Sequence, residues 1–379
     1  MSPSLQLPPE FASHKSRLDK STVIVLSDKA QSSDRDIEID VQSFANFLLD
    51  HKNLLQSDPE ASYLAVKALV YSGNLDAAIG WDYHRDHPGA MGFRALALLF
   101  AGKSENAKKL FNKALECLKE SGGIALVLEV LGLFMFFQTA TRRREEALET
   151  FYQAMEIFNT HKSSETEDVI PWVLTRGAYA LRAKGLLDAA HKLNNEALAY
   201  ADHSGNRLLQ ALSLLGIGMC FGSSRNSKQA IDQYERALDL LDEIGADIFK
   251  PMILNRLGMA MGSQGRMDKA EQIFEESVRI ARISGAFWLE FGPLGNLAGI
   301  RAGQGDLEGA LKAYVYAQSS ALAFGDLQDA MWFSITIGNI YQKLGQMSKA
   351  RQSYQKAKEL AVKLGMAIVF QEQGNDMNS

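Results

Sequence analysis

The chain has 379 residues, enough for one extended repeat array or for roughly two or three ordinary domains. Apolar residues make up 46% and charged residues 22%, with a formal net charge of −5, so no global basic field exists to attract nucleic acid or anionic lipid. Cys117 and Cys220 are too few and too far apart for the disulfide framework of a small secreted domain. They read as free thiols in a reducing, cytoplasmic compartment.

In chain order, residues 1–40 are rich in Ser, Asp, Lys and Pro and read as a flexible leader, with one β-branched run at 22–26. Helical periodicity starts at Val41, with Phe44, Phe47 and Leu48 on one side. Ser57 or Asp58 is the expected N-cap of a helix whose first position is Pro59, and Gly73 closes it. A short segment at 74–79 opens the next helix, and 80–92 interrupts the pattern. His84 and His87 within that interruption stand three apart, a spacing that could place two imidazoles on one helix face. Pro88 and Gly89 follow at once and no third ligand stands near, so a structural turn is expected and no metal or cofactor.

Residues 124–140 are the most apolar stretch. They number 17, contain Glu129, and fall short of the ~20 residues that span a bilayer, so a buried helix is expected. Arg142, Arg143 and Arg144 form a solvated corner between helices. The polar patch at 159–168 is expected to be a long turn or hinge, and 371–379 a frayed tail.

From 171 to 366 the text repeats every 40 residues. Ala190, Ala230, Ala270, Ala310 and Ala350 mark one phase, and Gly205, Gly245, Gly285, Gly325 and Gly365 another. Each interval holds two helical patterns and a turn, which is the signature of a solenoid whose units bury their apolar faces against neighbours. Traced backwards, the small-residue phase passes through Ala147, Ala107 and Ala78 at steps of 43, 40 and 29, so the repeats are regular from about residue 90. The expected organisation is a leader (1–40), an irregular N-terminal helical region (41–160), a regular array of five units (161–370) and a tail (371–379).

These units resemble tetratricopeptide repeats. Twelve residues before the marker alanine stands the small residue of the first helix: Gly218, Gly258, Ala298 and Gly338. Four residues after it stands the aromatic of the second helix: Phe111, Phe151, Tyr234, Phe274, Tyr314 and Tyr354. Seven after it comes a second small residue: Ala114, Ala154, Ala197, Ala237, Ser277, Ala317 and Ala357. Small residues let two helix backbones approach, and the aromatic fills the remaining gap. Asn74, Asp188, Ser227, Asp268, Asp306 and Ser348 are placed to cap the second helices. Departures from the family pattern are the 40-residue unit in place of about 34, the absence of Trp four before the first small position (Leu214, Leu254, Leu294, Ser334), and Asn194 where an aromatic is usual. Units of this length resemble the arrays of bacterial signalling regulators, kinesin light chains and peptide-holding adaptors.

The resemblance implies an all-α, right-handed α-solenoid whose first helices line a concave groove. The phase then assigns to the groove Arg176, Tyr179 and Arg182, next Met219, then Asn255, Arg256 and Met259, then Asn296, and last Trp332, Asn339 and Lys343. The set holds Arg, Asn and Lys but no Asp or Glu. It suits peptide amides and carboxylates, with Met and Trp supplying apolar contact. No phosphate-cradling loop, nucleophile elbow or zinc-protease motif occurs, so no catalysis is expected. The expected function is a non-enzymatic scaffold or adaptor that holds a peptide or helix of a partner protein bearing acidic residues, with no nucleic acid and no membrane. The alternative is a regulatory sensor that binds a peptide or small effector and switches a signalling or transcriptional output.

Overall fold

The computed structural model describes residues 59–366, apart from 85 and 122. The expectations for 1–40, for the helix starting at Val41 and for the tail lie outside the described residues. The regular structure among the described residues is entirely helical. The fold is an α-solenoid of helix-turn-helix units, and its chain divides into two compact units at Glu290/Phe291.

The first unit opens with α1 (Pro59–Tyr71) and the short α2 (Leu75–Ile79). Five helix pairs follow: α3 (Pro88–Phe100) with α4 (Ser104–Ser121), α5 (Ile124–Ala140) with α6 (Arg144–Thr160), α7 (Ser164–Ala183) with α8 (Leu187–Ser204), α9 (Arg207–Ser223) with α10 (Ser227–Glu243), and α11 (Lys250–Ser263) with α12 (Met267–Ile283). Single-turn 3-10 helices at Asp247–Phe249 and Phe287–Leu289 follow α10 and α12. The second unit holds two pairs, α13 (Phe291–Gly303) with α14 (Leu307–Phe324) and α15 (Leu327–Lys343) with α16 (Met347–Lys363).

Each helix starts and stops for a local reason. Pro59 and Pro88 open α1 and α3, where a missing N–H costs nothing. The cap of α3 is His87, whose Nδ1 accepts the Ala90 N–H at 3.4 Å, so this imidazole serves the helix start, as the turn reading of 80–92 anticipates. The most apolar stretch is α5 itself, and no described helix is long and apolar enough to cross a membrane. Gly205 leaves α8 at φ +68°, a conformation a side chain resists, and the four glycines at its repeat positions share it.

Two expectations change. The polar patch at 159–168 is not a long turn: α6 runs to Thr160 and α7 begins at Ser164. Its polarity comes from a capping box, in which Ser163 Oγ accepts the Thr166 N–H at 3.3 Å and Thr166 Oγ1 accepts the Ser163 N–H at 2.8 Å. The second-helix caps also shift. Asp306 caps α14 through the Gly309 N–H, but Asn226 and not Ser227 caps α10. Asp188, Asp268 and Ser348 lie inside the first turn, behind Leu186, Arg266 and Gln346, where the two aspartates favour the helix dipole.

Packing follows the predicted phase. A Cβ built on Gly218 would lie 2.5 Å from the Tyr234 ring, one on Gly258 2.6 Å from Phe274, and one on Gly338 2.5 Å from Tyr354. Asn194, the departure from the aromatic pattern, instead sets its amide against Gly216 of the following helix and bonds back to the Ala190 carbonyl at 3.0 Å.

The first unit also joins residues far apart in sequence. Tyr71 on α1 meets Phe249 edge-on at 5.6 Å between centroids, and Phe249 meets Phe100 of α3 at 5.7 Å. Phe100 stacks on Trp288 at 6.0 Å, which meets Phe136 of α5 at 6.3 Å. The two 3-10 turns therefore fasten α1 and α3 to the far end of the unit. Beside this clasp, Lys67 Nζ lies 2.6 Å from Glu129 Oε1 in a buried ion pair, with the Tyr63 hydroxyl donating to Glu129 Oε2.

Candidate functional site

The first helices of three consecutive pairs, α7, α9 and α11, carry the predicted groove residues of the first unit. Arg176 is 8% exposed, and its guanidinium lies over the Phe136 ring at 4.8 Å. Burial pushes it down to about 10, and its Nε has no hydrogen-bond partner among the described residues. One turn further along α7, Tyr179 is half-buried, with the Arg182 guanidinium 5.2 Å from its ring centroid.

Arg182 reaches across to α9, where its Nη1 donates to Ser223 Oγ at 3.3 Å. Burial lowers its pKa first, and the positive charge of Arg256 on α11 lowers it further. Arg256 is half-buried, and its Nη1 stands 3.8 Å from the Met259 sulfur. Met259 is exposed, Met219 buried and Asn255 half-buried. Among the described residues, Arg176, Arg182 and Arg256 have no carboxylate within ion-pairing distance. Arg182 on α7 and Arg256 on α11 therefore repel each other with no carboxylate to compensate them, while Arg176 is buried against Phe136.

Two further residues join them. Tyr234 crosses from α10 over Gly218, and its hydroxyl lies 3.7 Å from where a Cβ on Gly222 would stand. The phenol lies within the fields of both Arg182 and Arg256. Burial raises the phenol to about 12 against the pull of those two charges, so it remains a neutral hydrogen-bond donor at physiological pH. Cys220 is buried nearby, with its thiol pushed up by burial and Asn194 Nδ2 at 3.8 Å, which suits packing and not nucleophilic chemistry. Ser223 and Tyr234 were absent from the predicted groove set. The repeat pattern assigns Tyr234 to packing, and only its ring does that work.

In the second unit, Trp332, Asn339 and Lys343 share one face of α15 and are exposed, Trp332 at 52%. Asn339 Oδ1 accepts the Tyr354 hydroxyl of α16 at 2.8 Å, which fixes its amide. Asn296 on α13 is half-buried. Among the described residues, no group of three or more His, Cys, Asp or Glu is arranged to hold a metal ion.

The tetratricopeptide repeat family model matches residues 253–283 and 335–361, in α11–α12 and α15–α16. Two of the chain's helix pairs thus match tetratricopeptide repeats. Among solved structures, the repeat array is similar to a Rap protein complexed with competence and sporulation factor, with a TM-score of 0.59 and 15% identity over 86% of this chain and 92% of that one. It is also similar to the apo form of RapI, with a TM-score of 0.50 and 16% identity over 73% of this chain and 97% of that one. At these identities the likeness is one of fold. No curated protein matches the chain by sequence.

Proposed function

We propose that this tetratricopeptide-repeat chain is a non-enzymatic protein-interaction module that holds a peptide or helix of a partner on its first-helix surface. The observation that carries this reading is the uncompensated charge on α7 and α11. Leaving Arg182 and Arg256 partly desolvated, mutually repelling and without a carboxylate costs stability, and a ligand that supplies the missing charge repays it. Met259 beside them offers an adaptable apolar contact. On the second unit, Trp332, Asn339 and Lys343 form a further face of the same chemistry.

Arg176 contributes through the wall of the site, because the Phe136 ring covers it. Tyr179, Arg182, Asn255, Arg256 and Met259 are the residues open to a ligand in the first unit. The second reading, a sensor that binds a peptide and switches an output, is favoured by the likeness to a Rap protein complexed with competence and sporulation factor.

The test is affinity capture from the source organism's lysate with wild type against the Arg182→Glu/Arg256→Glu variant, with both first shown to have the same helicity. A protein retained by wild type and lost from the variant supports the adaptor. Retention of the same proteins by both would sink the assignment of this surface. A peptide recovered in place of a protein selects the sensor.

A further inference from the structure

Tyr63, Lys67 and Tyr71 stand four residues apart and so share one face of α1. Tyr71 joins the aromatic clasp through Phe249, whereas Tyr63 and Lys67 form a buried polar knot with Glu129 of α5. Lys67 Nζ donates to Glu129 Oε1 at 2.6 Å and to the Tyr63 hydroxyl oxygen at 3.2 Å, and it stands 5.2 Å from the centroid of the Phe93 ring of α3. The seat of the Tyr63 ring is the first turn of α3. A Cβ built on Gly89 would lie 2.6 Å from that ring, and the His87 imidazole meets it at 5.4 Å between centroids. The same imidazole caps the turn, with Nδ1 accepting the Ala90 N–H. His87 therefore both starts α3 and touches the knot that fastens α1. The charged and titratable groups around it, among the described residues, are Tyr63 and Lys67 from α1, Glu129 from α5, and His84 and Asp86 from its own loop. Asp86 is paired with Lys113 of α4 at 2.6 Å, and the carbonyl of His84, a residue at φ +44°, accepts the His87 N–H at 2.9 Å. Of these side-chain types, imidazole alone has an ordinary pKa between pH 5 and 8.

We infer that His87 is an acid-sensitive latch: its protonation unseats the first turn of α3 from Tyr63 and releases α1, and with α1 the Tyr71–Phe249 end of the clasp, while the later repeats stay folded. The direction follows from the geometry. An imidazolium has no lone pair at Nδ1, so the Ala90 N–H loses its acceptor. The new cation also sits at the positive end of the α3 dipole. Burial first, and then His84, hold the imidazole below its ordinary 6.5, against the pull of Glu129. The closed form thus binds the proton less readily than the open one. Opening is favoured as pH falls through 6.5 and levels off below the pKa of the closed form.

The experiment is hydrogen–deuterium exchange with mass spectrometry on the full chain between pH 7 and pH 5, with each rate divided by the intrinsic rate at that pH. In wild type, opening of the peptides that cover 59–71 and 247–249 is expected to rise below pH 6.5 by up to about ten-fold per pH unit, the limit for one proton. Peptides from α9, α10 and the second unit should hold constant. His87→Asn keeps a capping oxygen without an imidazole, and exchange in the same peptides should no longer follow pH. His84→Asn tolerates the left-handed backbone but removes a repelling imidazole, and should reduce the rise seen in wild type. Where His87→Asn loses its cooperative melt, His87→Ser, a second capping residue, takes its place.

A rise of the same size in wild type and in the His87 variant overturns the latch, as does the absence of any rise. A rise spread evenly over all helices of the first unit overturns it too, because that is general acid destabilisation. Opening of 59–71 with 247–249 unchanged overturns the link to the clasp and confines the latch to α1.

Discussion

Tyr234 lies so close to Gly218 that a single methyl group at residue 218 would stand 2.5 Å from its ring. Real carbons do not approach that closely, so α9 and α10 can pack as they do only because residue 218 has no side chain. Gly218→Ala is expected to destabilise the protein by about 1–3 kcal/mol through overpacking. Gly303→Ala is the contrasting case. It sits at the exposed end of α13 with nothing within 4 Å, and alanine there should add about 0.5 kcal/mol through helix propensity. Urea denaturation of both variants checks the pair, and equal effects would show that the Gly218–Tyr234 contact is looser than described.

The Lys67–Glu129 ion pair gives a second expectation. Both side chains are almost wholly buried, so removing one charge strands the other in an apolar setting. Lys67→Met or Glu129→Leu alone should cost about 3–5 kcal/mol, whereas the double substitution should recover most of that loss. A double-mutant cycle measured by chemical denaturation decides it, and simple additivity would contradict the pairing.

Arg225 adopts φ +58° between α9 and α10, at the position where Gly185, Gly265, Gly305 and Gly345 stand in the other units. A side chain in this conformation carries strain of about 1 kcal/mol, so Arg225→Gly should stabilise the chain by nearly that amount. A lower melting temperature in the variant would show that the Arg225 side chain makes a contact worth more than the strain.

His87 sets a pH dependence. Burial holds its pKa below the ordinary value of 6.5, with His84 lowering it further and Glu129 opposing. The unfolded chain therefore binds this proton more readily than the folded one, so stability falls as pH drops through 6.5 towards the folded pKa and levels off below it. Protonation also destroys the Nδ1 acceptor that caps α3. His87→Asn should retain a cap while flattening this part of the profile, and an unchanged slope between pH 7 and pH 5 would assign the effect to another group.

The repeat architecture was legible in the sequence because it depends on residues that act locally and recur. The Gly–aromatic pairs at 218/234, 258/274 and 338/354 and the left-handed glycines stand where a 40-residue phase places them. Whatever depends on distant parts of the chain was not legible. Nothing in the spacing of Arg176 reveals that Phe136 covers it, or that Trp288 abuts Phe136 from 152 residues further along. Asp306 caps α14 as expected, whereas Asp188, Ser227, Asp268 and Ser348 fall one or two residues inside their helices, because Asp and Ser are as welcome in the first helical turn as before it. The repeat pattern explains the packing of the Tyr234 ring, but not that its hydroxyl lies within the fields of Arg182 and Arg256, which come from other units.

The aromatic clasp of the first unit bears on how the chain folds. A linear repeat array has low contact order and unravels from its ends, because each unit answers only to its neighbours. Here Tyr71 and Phe100 wait for Phe249 and Trp288, so closing that loop must bring together segments separated by 178 and 188 residues. Additive nearest-neighbour energies should therefore fail for residues 59–290. The last contacts to form in this unit are the long-range ones, and the earliest repeats stay incomplete until the chain near residue 290 has been made.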